Sequence, residues 1–496
     1  MPHRSLKTLL VWLALALPGW SDDRPNIIFL MADDQCTYSL GCYGTPGAKT
    51  PNLDALAREG VVFDRHYDTT AICMASRASV MTGLFEYRTG CNFDSGPLVR
   101  EIWSKSYPML LREAGYRTAF AGKFGFEVVD QPGAKKELPE SDFDRWGGGP
   151  GQTSYDTRKN KSMAAYADEY PHSTRSYGAF GRDFIADVSQ SGDPFCLSIS
   201  FKAPHHPVQP DPIFDEVYAD SGIPKPANYG REHGEHFSEQ SRQGRQYERF
   251  DSWGYRDNYL DVMRRYFQQI YAIDVAVGMI REALETNGVA DNTVIIYTSD
   301  NGFLCGSHGY GSKVLPYEES TRVPLIIKDP RQPNAGRRCD SLTGNVDFAP
   351  TILEYAGLAI PDGLDGQSLL PLMKEPNTVT ERVLPLINVW GPRECHCLGV
   401  VSNEGKYIYW PFADKGFEAT PEAYDFSSNR LELTNILDEP AQAGRVQQLE
   451  SQYNAALEHW RQHAVPYHGY PRFATIFDPD VSWNKKAPLY AKPKKR

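Results

Sequence analysis

A cysteine and an arginine stand four positions apart in the segment 73–77, which reads Cys-Met-Ala-Ser-Arg and leads to Thr82-Gly83. This frame places the thiol of Cys73 at a fixed spacing from the cationic side chain of Arg77. Two interpretations are open. Cys73 is either a reactive group with a cationic neighbour or a buried free cysteine beside a surface arginine. The other polar clusters of the chain must decide between them.

Two acidic pairs follow apolar stretches elsewhere in the chain, Asp33-Asp34 and Asp300-Asn301. Together they offer three carboxylates and one amide, which are oxygen ligands of the kind that calcium and magnesium prefer. Nothing in them favours zinc or copper. Each pair alone is weak evidence, because aspartate is common in turns at strand ends. Because both pairs follow predicted strands, together they predict a site for a hard divalent cation.

Three cationic and two histidine side chains complete the set of candidate chemical groups. Arg77, Lys123 and Lys313 could neutralise an anion and stabilise the charge that develops as a bond to a leaving oxygen breaks. His205 and His308 are candidate proton carriers, because histidine titrates near neutrality. Each of these residues alone is more often a solvated surface group or a structural histidine. Their positions beside the acidic pairs favour a functional role.

Four apolar runs position these groups, and each run ends in a polar cluster. Near-continuous apolar runs of this length are typical of strands buried on both faces of a mostly parallel sheet. Helices are predicted between them at 51–59, which starts with proline and ends before glycine, and at 266–284. This alternation indicates an α/β sandwich, in which ligands collect at the carboxyl ends of the strands, so the polar clusters should converge there. The four runs are residues 26–32, 117–121, 195–201 and 293–298.

The composition of the 496-residue chain is that of a soluble globular protein, with 41% hydrophobic and 23% charged residues. This length is sufficient for one large domain or two unequal ones. The formal net charge of −11 argues against general nucleic-acid binding, which favours a basic surface. An anionic substrate is compatible with this charge, because a pocket can be locally positive in an acidic protein.

The first 21 residues have the pattern of a secretory signal peptide. Basic residues precede an apolar run at 9–17, which is too short to span a bilayer, and small residues allow cleavage before Asp22. An uncleaved N-terminal anchor is the alternative. We expect a secreted or periplasmic protein with no membrane span after cleavage. Nine cysteines are present, so setting Cys73 aside leaves eight that could pair in such a compartment.

The chain after this segment divides into two predicted domains and a tail. The larger, catalytic domain covers 22–376, and a smaller C-terminal domain of α+β type covers 377–484. Residues 485–496 are basic and are predicted to be a disordered tail. Two long polar stretches of the larger domain are predicted to be lids, binding walls or disordered loops. These stretches are 127–194 and 211–259.

Several ordered blocks of the sequence resemble the type I, formylglycine-dependent sulfatase family of the alkaline phosphatase superfamily. The stretch 73–83 is similar to the formylglycine signature, and 115–123 matches the second signature in part. The segment 203–207 resembles the histidine loop of the family. The resemblance covers about residues 24–375. Further similar blocks lie at 24–34, 51–60, 298–302, 306–309, 317–324, 347–351 and 365–369, with a weaker similarity at 422–425.

The resemblance implies an alkaline-phosphatase-like α/β sandwich with a large, mostly parallel central sheet, and a smaller C-terminal domain with a short antiparallel sheet. It implies that a formylglycine-generating or equivalent maturation enzyme oxidises Cys73 to Cα-formylglycine, whose aldehyde hydrate is the nucleophile. It also implies a bound calcium ion, although the ligands alone permit magnesium. The ligands would be Asp33, Asp34, Asp300, Asn301 and the oxygen of the modified Cys73.

The mechanism that the resemblance implies uses both hydroxyls of the hydrate. One attacks sulfur, and the metal and Arg77 lower the cost of its deprotonation. Lys123 and Lys313 hold the sulfate, and His205 is the acid for the leaving alcohol. The second hydroxyl then expels sulfate and restores the aldehyde, whereas a serine would be trapped as a stable sulfate ester.

One position departs from the family. A histidine usually stands two residues after the Lys123 position, and this chain has Gly125 there. The group expected to assist the expulsion of sulfate is therefore missing. We hypothesise that a loop histidine, His206 or His308, compensates, or that this step is slower.

These features predict a secreted sulfatase that hydrolyses a sulfate ester of a sulfated carbohydrate or of a small alcohol. A phosphodiesterase or phosphonate hydrolase of the same superfamily is one alternative. A catalytically silent sulfoglycan-binding protein is another, and Gly125 lends it support. Formylglycine at position 73 would favour catalysis, whereas an unmodified thiol would favour binding alone.

Overall fold

The computed structural model describes residues 24–332 and 335–490. The predicted signal peptide, 1–21, and the last six residues of the predicted tail lie outside the described residues. The strands are β1 Asn26–Ala32, β2 Val61–Phe63, β3 His66–Tyr67, β4 Leu98–Val99, β5 Arg117–Lys123, β6 Val128–Val129, β7 Arg145–Gly149, β8 Phe195–Ser200, β9 Thr293–Ser299, β10 Leu325–Lys328, β11 Arg337–Cys339, β12 Thr343–Gly344, β13 Leu384–Asn388, β14 Cys397–Val401, β15 Gly405–Trp410 and β16 Thr420–Asp425. The α-helices are α1 Pro51–Glu59, α2 Cys73–Thr82, α3 Glu86–Thr89, α4 Arg100–Trp103, α5 Tyr107–Glu113, α6 Ser173–Val188, α7 Arg245–Ser252, α8 Tyr259–Thr286, α9 Glu318–Thr321, α10 Phe348–Tyr355, α11 Leu370–Lys374, α12 Ala443–His463, α13 Pro471–Ile476 and α14 Trp483–Lys486.

The larger domain is built on an eight-stranded sheet with the strand order β11-β2-β10-β9-β1-β8-β5-β7. Neighbouring strands in this sheet are parallel except at β10, which runs antiparallel to both β2 and β9. The expectation of a large, mostly parallel sheet is confirmed. The four apolar runs of the sequence are β9, β1, β8 and β5, which lie side by side at its centre.

Alternate residues of β1 face two separate hydrophobic cores, so helices cover both faces of the sheet. Ile28 and Leu30 belong to a core that includes residues of α1, α6 and α8. Ile27 and Phe29 belong to a second core that includes residues of α2, α5 and α10. A strand that is apolar at every position needs an apolar layer on each side, which makes this domain a three-layer α/β sandwich.

The stretch 127–194, predicted as a lid or loop, contains the edge strand β7 and the helix α6. Three of the five residues of β7 are glycine, and α6 contains two glycines among its 16 residues. Glycine has a low propensity for regular structure, so the residue types give a weak signal for both elements. The glycines allow close packing, because a Cβ at Gly178 would lie 3.0 Å from Ala276 of α8, and one at Gly181 would lie 3.0 Å from Ile199 of β8. The prediction is therefore wrong over α6 and β7.

The C-terminal domain is a four-stranded antiparallel sheet, β13-β14-β15-β16, against which α12 packs, as the resemblance implied. Lys406 of β15 joins it to the larger domain, since its buried ammonium lies 2.6 Å from Glu432 and 3.0 Å from Glu318. The predicted boundary at residue 484 is too early. Lys486 of α14 is buried, and its ammonium donates to the Tyr409 hydroxyl at 3.0 Å, so the domain extends beyond that residue.

All nine cysteines are free thiols, so the eight other than Cys73 do not pair as the sequence allowed. Each of the eight contributes to, or packs against, one of the three large hydrophobic cores. They act as small apolar side chains there. Among the described residues, no helix combines the length and the apolar character that a bilayer crossing requires.

Candidate active site

Side chains from the central strands meet at the carboxyl edge of the large sheet. Asp33 and Asp34 follow β1, Asp300 follows β9, and Lys123 is the last residue of β5. The Lys123 ammonium donates to Asp33 Oδ2 at 2.5 Å, and the backbone N–H of Asp34 donates to Asp300 Oδ1 at 3.3 Å. The sheet thus brings together residues that are far apart in the sequence, at the edge where open α/β sheets bind ligands.

Cys73 is the first residue of α2, and its side chain is buried against the acidic residues. Its Sγ lies 3.5 Å from Asp33 Oδ1, and the Lys313 ammonium donates to it at 2.9 Å. Burial raises the pKa of the thiol to about 11, Asp33 adds to this rise, and Lys123 and Lys313 oppose it. In its encoded form the thiol is therefore protonated at neutral pH and is a weak nucleophile.

Arg77 lies one helical turn after Cys73 and is fully buried, so the alternative of a surface arginine is wrong. Its Nε donates to Asp300 Oδ2 at 2.8 Å, and its Nη1 donates to the backbone oxygen of Lys123 at 2.6 Å. Its Nη2 lies 3.5 Å from Asp33 Oδ2. One guanidinium therefore ties α2 to the ends of β1, β5 and β9, which fixes the position of Cys73 against the sheet.

Lys313 enters the site from the loop between β9 and α9. Its ammonium donates to Asp34 Oδ1 and lies 3.7 Å from Asp33 Oδ1. Burial alone would raise the pKa of Asp33, but Lys123, His205, Lys313 and Arg77 hold it well below its ordinary value. Asp33 is therefore ionised, and Lys123 and Lys313 place two positive charges beside Cys73.

The acidic residues fit a divalent cation. Ligand atoms of Asp33, Asp34, Cys73 and His205 lie within 4.8 Å of one another. Asn301 Oδ1 is buried without a hydrogen-bond partner in the described structure, while its Nδ2 donates to Asp34 Oδ1 at 2.8 Å. A buried acceptor without a partner costs free energy, and a cation would remove that cost. These oxygens match a hard ion such as calcium or magnesium.

His205 lies in the loop after β8, between the cis peptide bonds Ala203-Pro204 and His206-Pro207. Its Nε2 lies 3.8 Å from Asp34 Oδ2, and its Nδ1 has no partner among the described residues. Burial lowers the pKa of its imidazole to about 4, although Asp34 and Asp33 oppose this shift. The ring is neutral at pH 7 in the free protein, and an anion bound beside it would raise its pKa.

The structure places His308 outside this site, contrary to the prediction. Its Nδ1 lies 2.9 Å from the backbone oxygen of His233, and its Nε2 lies 2.8 Å from Asn228 Nδ2. Its ring also lies near Glu319 and Glu432 at the junction of the two domains. The backbone at His308 is left-handed, with φ 54°, in a turn that the residue pattern does not reveal.

His206, the other histidine proposed to compensate for Gly125, lies at the rim of the site. Its ring stacks on Trp253 with centroids 3.8 Å apart. Burial and then Arg249 lower the pKa of its imidazole, and Asp34 opposes the shift. His206 is therefore within electrostatic reach of the acidic residues, whereas His308 is not part of this arrangement.

Lys202 is a site residue that the sequence analysis missed. It lies two residues after the end of β8, its side chain is buried, and its ammonium donates to the backbone oxygen of Gln152 at 2.9 Å. Burial lowers its pKa, and the charges that oppose this include Asp33, Asp34 and Cys73. Its signal in the sequence is a lysine at the end of a central strand, the same signal that identified Lys123.

Two family models match this chain. The Sulfatase model matches residues 25–358, and the model of the C-terminal region of N-sulphoglucosamine sulphohydrolase matches residues 306–459. The first of these ranges contains every predicted ligand and catalytic residue described above.

Curated relatives and solved structures show the same likeness. N-acetylglucosamine-6-O-sulfatase of Bacteroides thetaiotaomicron is 30% identical over an alignment of length 413 that covers 71% of each chain. The arylsulfatase of Clostridium perfringens is 26% identical over 459 residues, 86% of this chain and 93% of that one. The structure of BT4656 in complex with its substrate D-glucosamine-2-N,6-O-disulfate has a TM-score of 0.72 at 26% identity, covering 88% of this chain and 98% of that one. A phosphonate monoester hydrolase of Agrobacterium radiobacter, with a TM-score of 0.69 at 20% identity over 87% of this chain and 96% of that one, shares the fold.

Proposed function

This chain belongs to the sulfatase family and is a sulfuric ester hydrolase, and from this we propose that it cleaves a sulfate ester of a carbohydrate through a formylglycine formed from Cys73 and with a bound calcium ion. The observation that carries the proposal is the position of Cys73. It begins α2 in contact with Asp33 and Lys313, and Arg77 one turn later locks it against three strand ends.

Lys123 and Lys313 bind the sulfate group of the substrate. In the free protein the Lys123 ammonium forms an ion pair with Asp33 and the Lys313 ammonium forms one with Asp34, both beside Cys73. From these positions both ammonium groups can donate hydrogen bonds to the oxygens of a bound anion. The site is buried, so each charge–charge interaction is stronger than it would be in water. These lysines stabilise the negative charge as the ester bond to sulfur breaks.

When present, the hydrated aldehyde at position 73 supplies the attacking oxygen, and the calcium ion lowers the cost of its negative charge. Asp33, Asp34, Asp300 and Asn301 would hold that ion, and magnesium is the alternative that the same oxygens permit. Arg77 contributes through its fixed charge and through its hydrogen bonds to Asp300 and to the Lys123 backbone, which keep the strand ends in register.

His205 holds the proton for the leaving alcohol. The hydroxyl of Tyr155 donates to the backbone oxygen of His205 at 2.6 Å, which fixes the loop that carries the ring. The unpartnered Nδ1 and the position of Nε2 beside Asp34 leave the ring able to donate to a bound ester oxygen. Proton donation matters most for a sugar alcohol, which is a poor leaving group.

The relatives of this chain support a carbohydrate substrate. The curated relatives include sulfatases of N-acetylglucosamine, and a structural relative was solved with a disulfated glucosamine. A cavity of about 350 Å³ lies beside His206, the neighbour of His205 in the sequence, and offers space for the part of a substrate that extends beyond its sulfate group.

Secretion and maturation are parts of the same proposal. We propose that residues 1–21 direct export to the periplasm or the exterior, and that a formylglycine-generating or equivalent enzyme acts on the segment 73–77. Sequencing the N-terminus of the mature protein would test the first point. A start at Asp22 is expected, and retention of Met1 would contradict it.

The test of the function is hydrolysis by protein produced together with a maturation enzyme. We expect release of inorganic sulfate from 4-nitrophenyl sulfate and from 6-O-sulfated N-acetylglucosamine, with calcium present. Faster cleavage of an aryl phosphodiester than of the aryl sulfate would favour the phosphodiesterase alternative. Binding of the sulfated sugar without turnover, by protein that carries formylglycine, would favour the silent binding alternative.

A further inference from the structure

Two arginines of α7 have no acidic partner. Arg245 and Arg249 are one helical turn apart, and in the part of the chain that the structure describes no carboxylate lies within ion-pair distance of either guanidinium. Two arginines outside α7, Arg231 and Arg256, do form ion pairs, since each lies 2.6 Å from a carboxylate oxygen of Asp251. Two neighbouring cations repel each other, and an anion bound between them would remove that repulsion.

Aromatic rings position these two guanidinium groups. The Cζ atom of Arg245 lies 4.5 Å from the ring of Trp390, and that of Arg249 lies 4.0 Å from the ring of Trp253. Stacking on an aromatic face orients a guanidinium while leaving its N–H edge available. The pair is therefore arranged to donate hydrogen bonds outward, toward a ligand.

Trp390 places this pair at the mouth of the active site. Its side chain packs against the small apolar cluster of Ile72, Ala75 and Val314. Ile72 and Val314 are the direct neighbours of Cys73 and Lys313 in the sequence. The guanidinium stacked on Trp390 thus belongs to the same opening as the candidate nucleophile. Trp253, under the second guanidinium, stacks on His206, which is next to His205.

The charges agree with this placement. Burial lowers the pKa of Arg245, and Cys73 and Asp34 are the groups that oppose the shift. Burial also lowers the pKa of Arg249, and the nearby charge of Arg245 lowers it further. The two arginines therefore lie within electrostatic range of each other and of the acidic site, and Glu248 and Asp34, which oppose the shift of the Arg249 pKa, form no ion pair with either.

We propose that Arg245 and Arg249 form a second anion subsite, which binds a further sulfate or a carboxylate of the substrate while the scissile sulfate ester lies at Cys73. The proposal rests on the proposed function and specifies its substrate class as a carbohydrate with at least two anionic groups. Guanidinium groups donate paired hydrogen bonds to the oxygens of either anion.

The first test compares substrates with one and with two anionic groups. The variants are R245A, R249A and the double variant, and R256A is the matched control because Arg256 pairs with Asp251. The substrates are glucosamine 6-O-sulfate, glucosamine 2-N,6-O-disulfate and a 6-O-sulfated glucosamine linked to a uronate. The readout is the ratio of kcat/KM for each doubly anionic substrate to kcat/KM for the monosulfate.

We expect this ratio to fall about 10-fold for each single variant and about 100-fold for the double variant, because each loses a hydrogen bond between charged groups. R256A should leave the ratio unchanged. A fall only with the disulfate identifies the second group as sulfate, and a fall only with the uronate identifies it as carboxylate. Equal fractional losses on all three substrates would overturn the proposal.

The second test measures binding and does not depend on turnover. Calorimetric titration of glucosamine 2-N,6-O-disulfate into protein that retains the Cys73 thiol should give an affinity about 100-fold weaker in the double variant than in the parent. Equal affinities would overturn the subsite even if the protein is an active sulfatase. Conversely, a loss of affinity in the double variant, together with no sulfate release by parent protein that carries formylglycine, would support the subsite and reject the proposed function.

Discussion

A Cβ atom at Gly125 would lie 2.3 Å from Cδ of Arg77, so this glycine and this arginine occupy adjoining space that no larger residue can share. The backbone at Gly125 is also left-handed, with φ 92°. Phe124, the residue before it, is buried among Phe120, Phe126 and Trp146. The absence of the histidine usual at this position is therefore part of the local packing and is not an isolated substitution.

Restoring that histidine should damage the protein. We expect Gly125→His to lower the free energy of unfolding by more than about 2 kcal/mol, because it combines a disfavoured backbone angle with overlap on a buried arginine. Gly133→Ala is the matched control, since Gly133 has φ 87° and an added Cβ would meet nothing within 4 Å. It should cost about 1 kcal/mol. Chemical denaturation measures both, and similar losses in the two variants would contradict the overlap with Arg77.

Cys73 should be the residue whose chemical state determines activity. Protein produced with a maturation enzyme should yield a peptide around position 73 in which one sulfur and two hydrogens are replaced by one oxygen. Cys73→Ala should abolish sulfate release without loss of folding. The rate of sulfate release should increase in proportion to the fraction of the peptide that mass spectrometry shows to be converted. Full activity in protein whose peptide carries only the thiol would reject the role of formylglycine.

Calcium should stabilise the fold as well as support activity. We expect a chelator to lower the melting temperature and added calcium to restore it, since a ligand at one hundred times its Kd contributes about 2.7 kcal/mol to stability. Asn301→Ala should reduce this calcium-dependent increment because it removes the unpartnered acceptor in the acidic site. Asn429→Ala, at an exposed residue, is the control. Scanning calorimetry with and without calcium provides the measurement, and an unchanged increment in Asn301→Ala would exclude that residue as a ligand.

The two histidines first chosen as proton carriers should behave differently. We expect His205→Ala to lower kcat about 100-fold with a sugar sulfate and much less with 4-nitrophenyl sulfate, whose leaving group needs little protonation. His308→Ala should leave kcat near the parent value on both substrates. It should lower the free energy of unfolding by about 1–3 kcal/mol, because buried partners such as Asn228 lose a hydrogen bond. A leaving-group effect in His308→Ala would contradict its placement outside the site.

Glu86 should make stability depend on pH. Its Oε1 accepts hydrogen bonds from Asn92 at 2.7 Å and from the Tyr470 hydroxyl at 2.6 Å, and burial raises its pKa to about 7. In the unfolded chain its pKa is about 4.3, so between about pH 4 and pH 7 the unfolded state releases this proton first and stability falls as pH rises. Glu86→Gln should remove about 3 kcal/mol of that decline. Parallel curves for parent and variant in denaturant titrations from pH 4.5 to pH 7.5 would refute this.

The sequence predicts the centre of the fold better than its surroundings. The strands β1, β5, β8 and β9 are identified because each is apolar at nearly every position, and this pattern also locates the acidic pairs at their ends. In contrast, α6 and β7 are missed, because their glycines permit close packing that only becomes evident in three dimensions. Apolar residue types show directly that a segment is buried. They do not show how closely that segment approaches its neighbours.

The same distinction applies to the site residues. Lys123, Asp33 and Asp34 lie at ends of regular strands, where the direction of the chain fixes their meeting point. His308 lies in a turn with a left-handed residue, so its position beside the correct motif does not determine where its ring points. Arg245 and Arg249 escape notice because α7 lies in a polar stretch, and their lack of acidic partners is a property of the folded chain alone.

The burial of α2 imposes an order of events on the production of this enzyme. Every residue from Cys73 to Thr82 is buried, so no second protein can reach the Cys73 side chain once the chain has folded. The proposed conversion of Cys73 would therefore take place on the extended chain, in the interval between synthesis and closure of the sheet around α2. A host in which folding is faster than conversion would accumulate stable, correctly folded protein that later exposure to the maturation enzyme cannot activate.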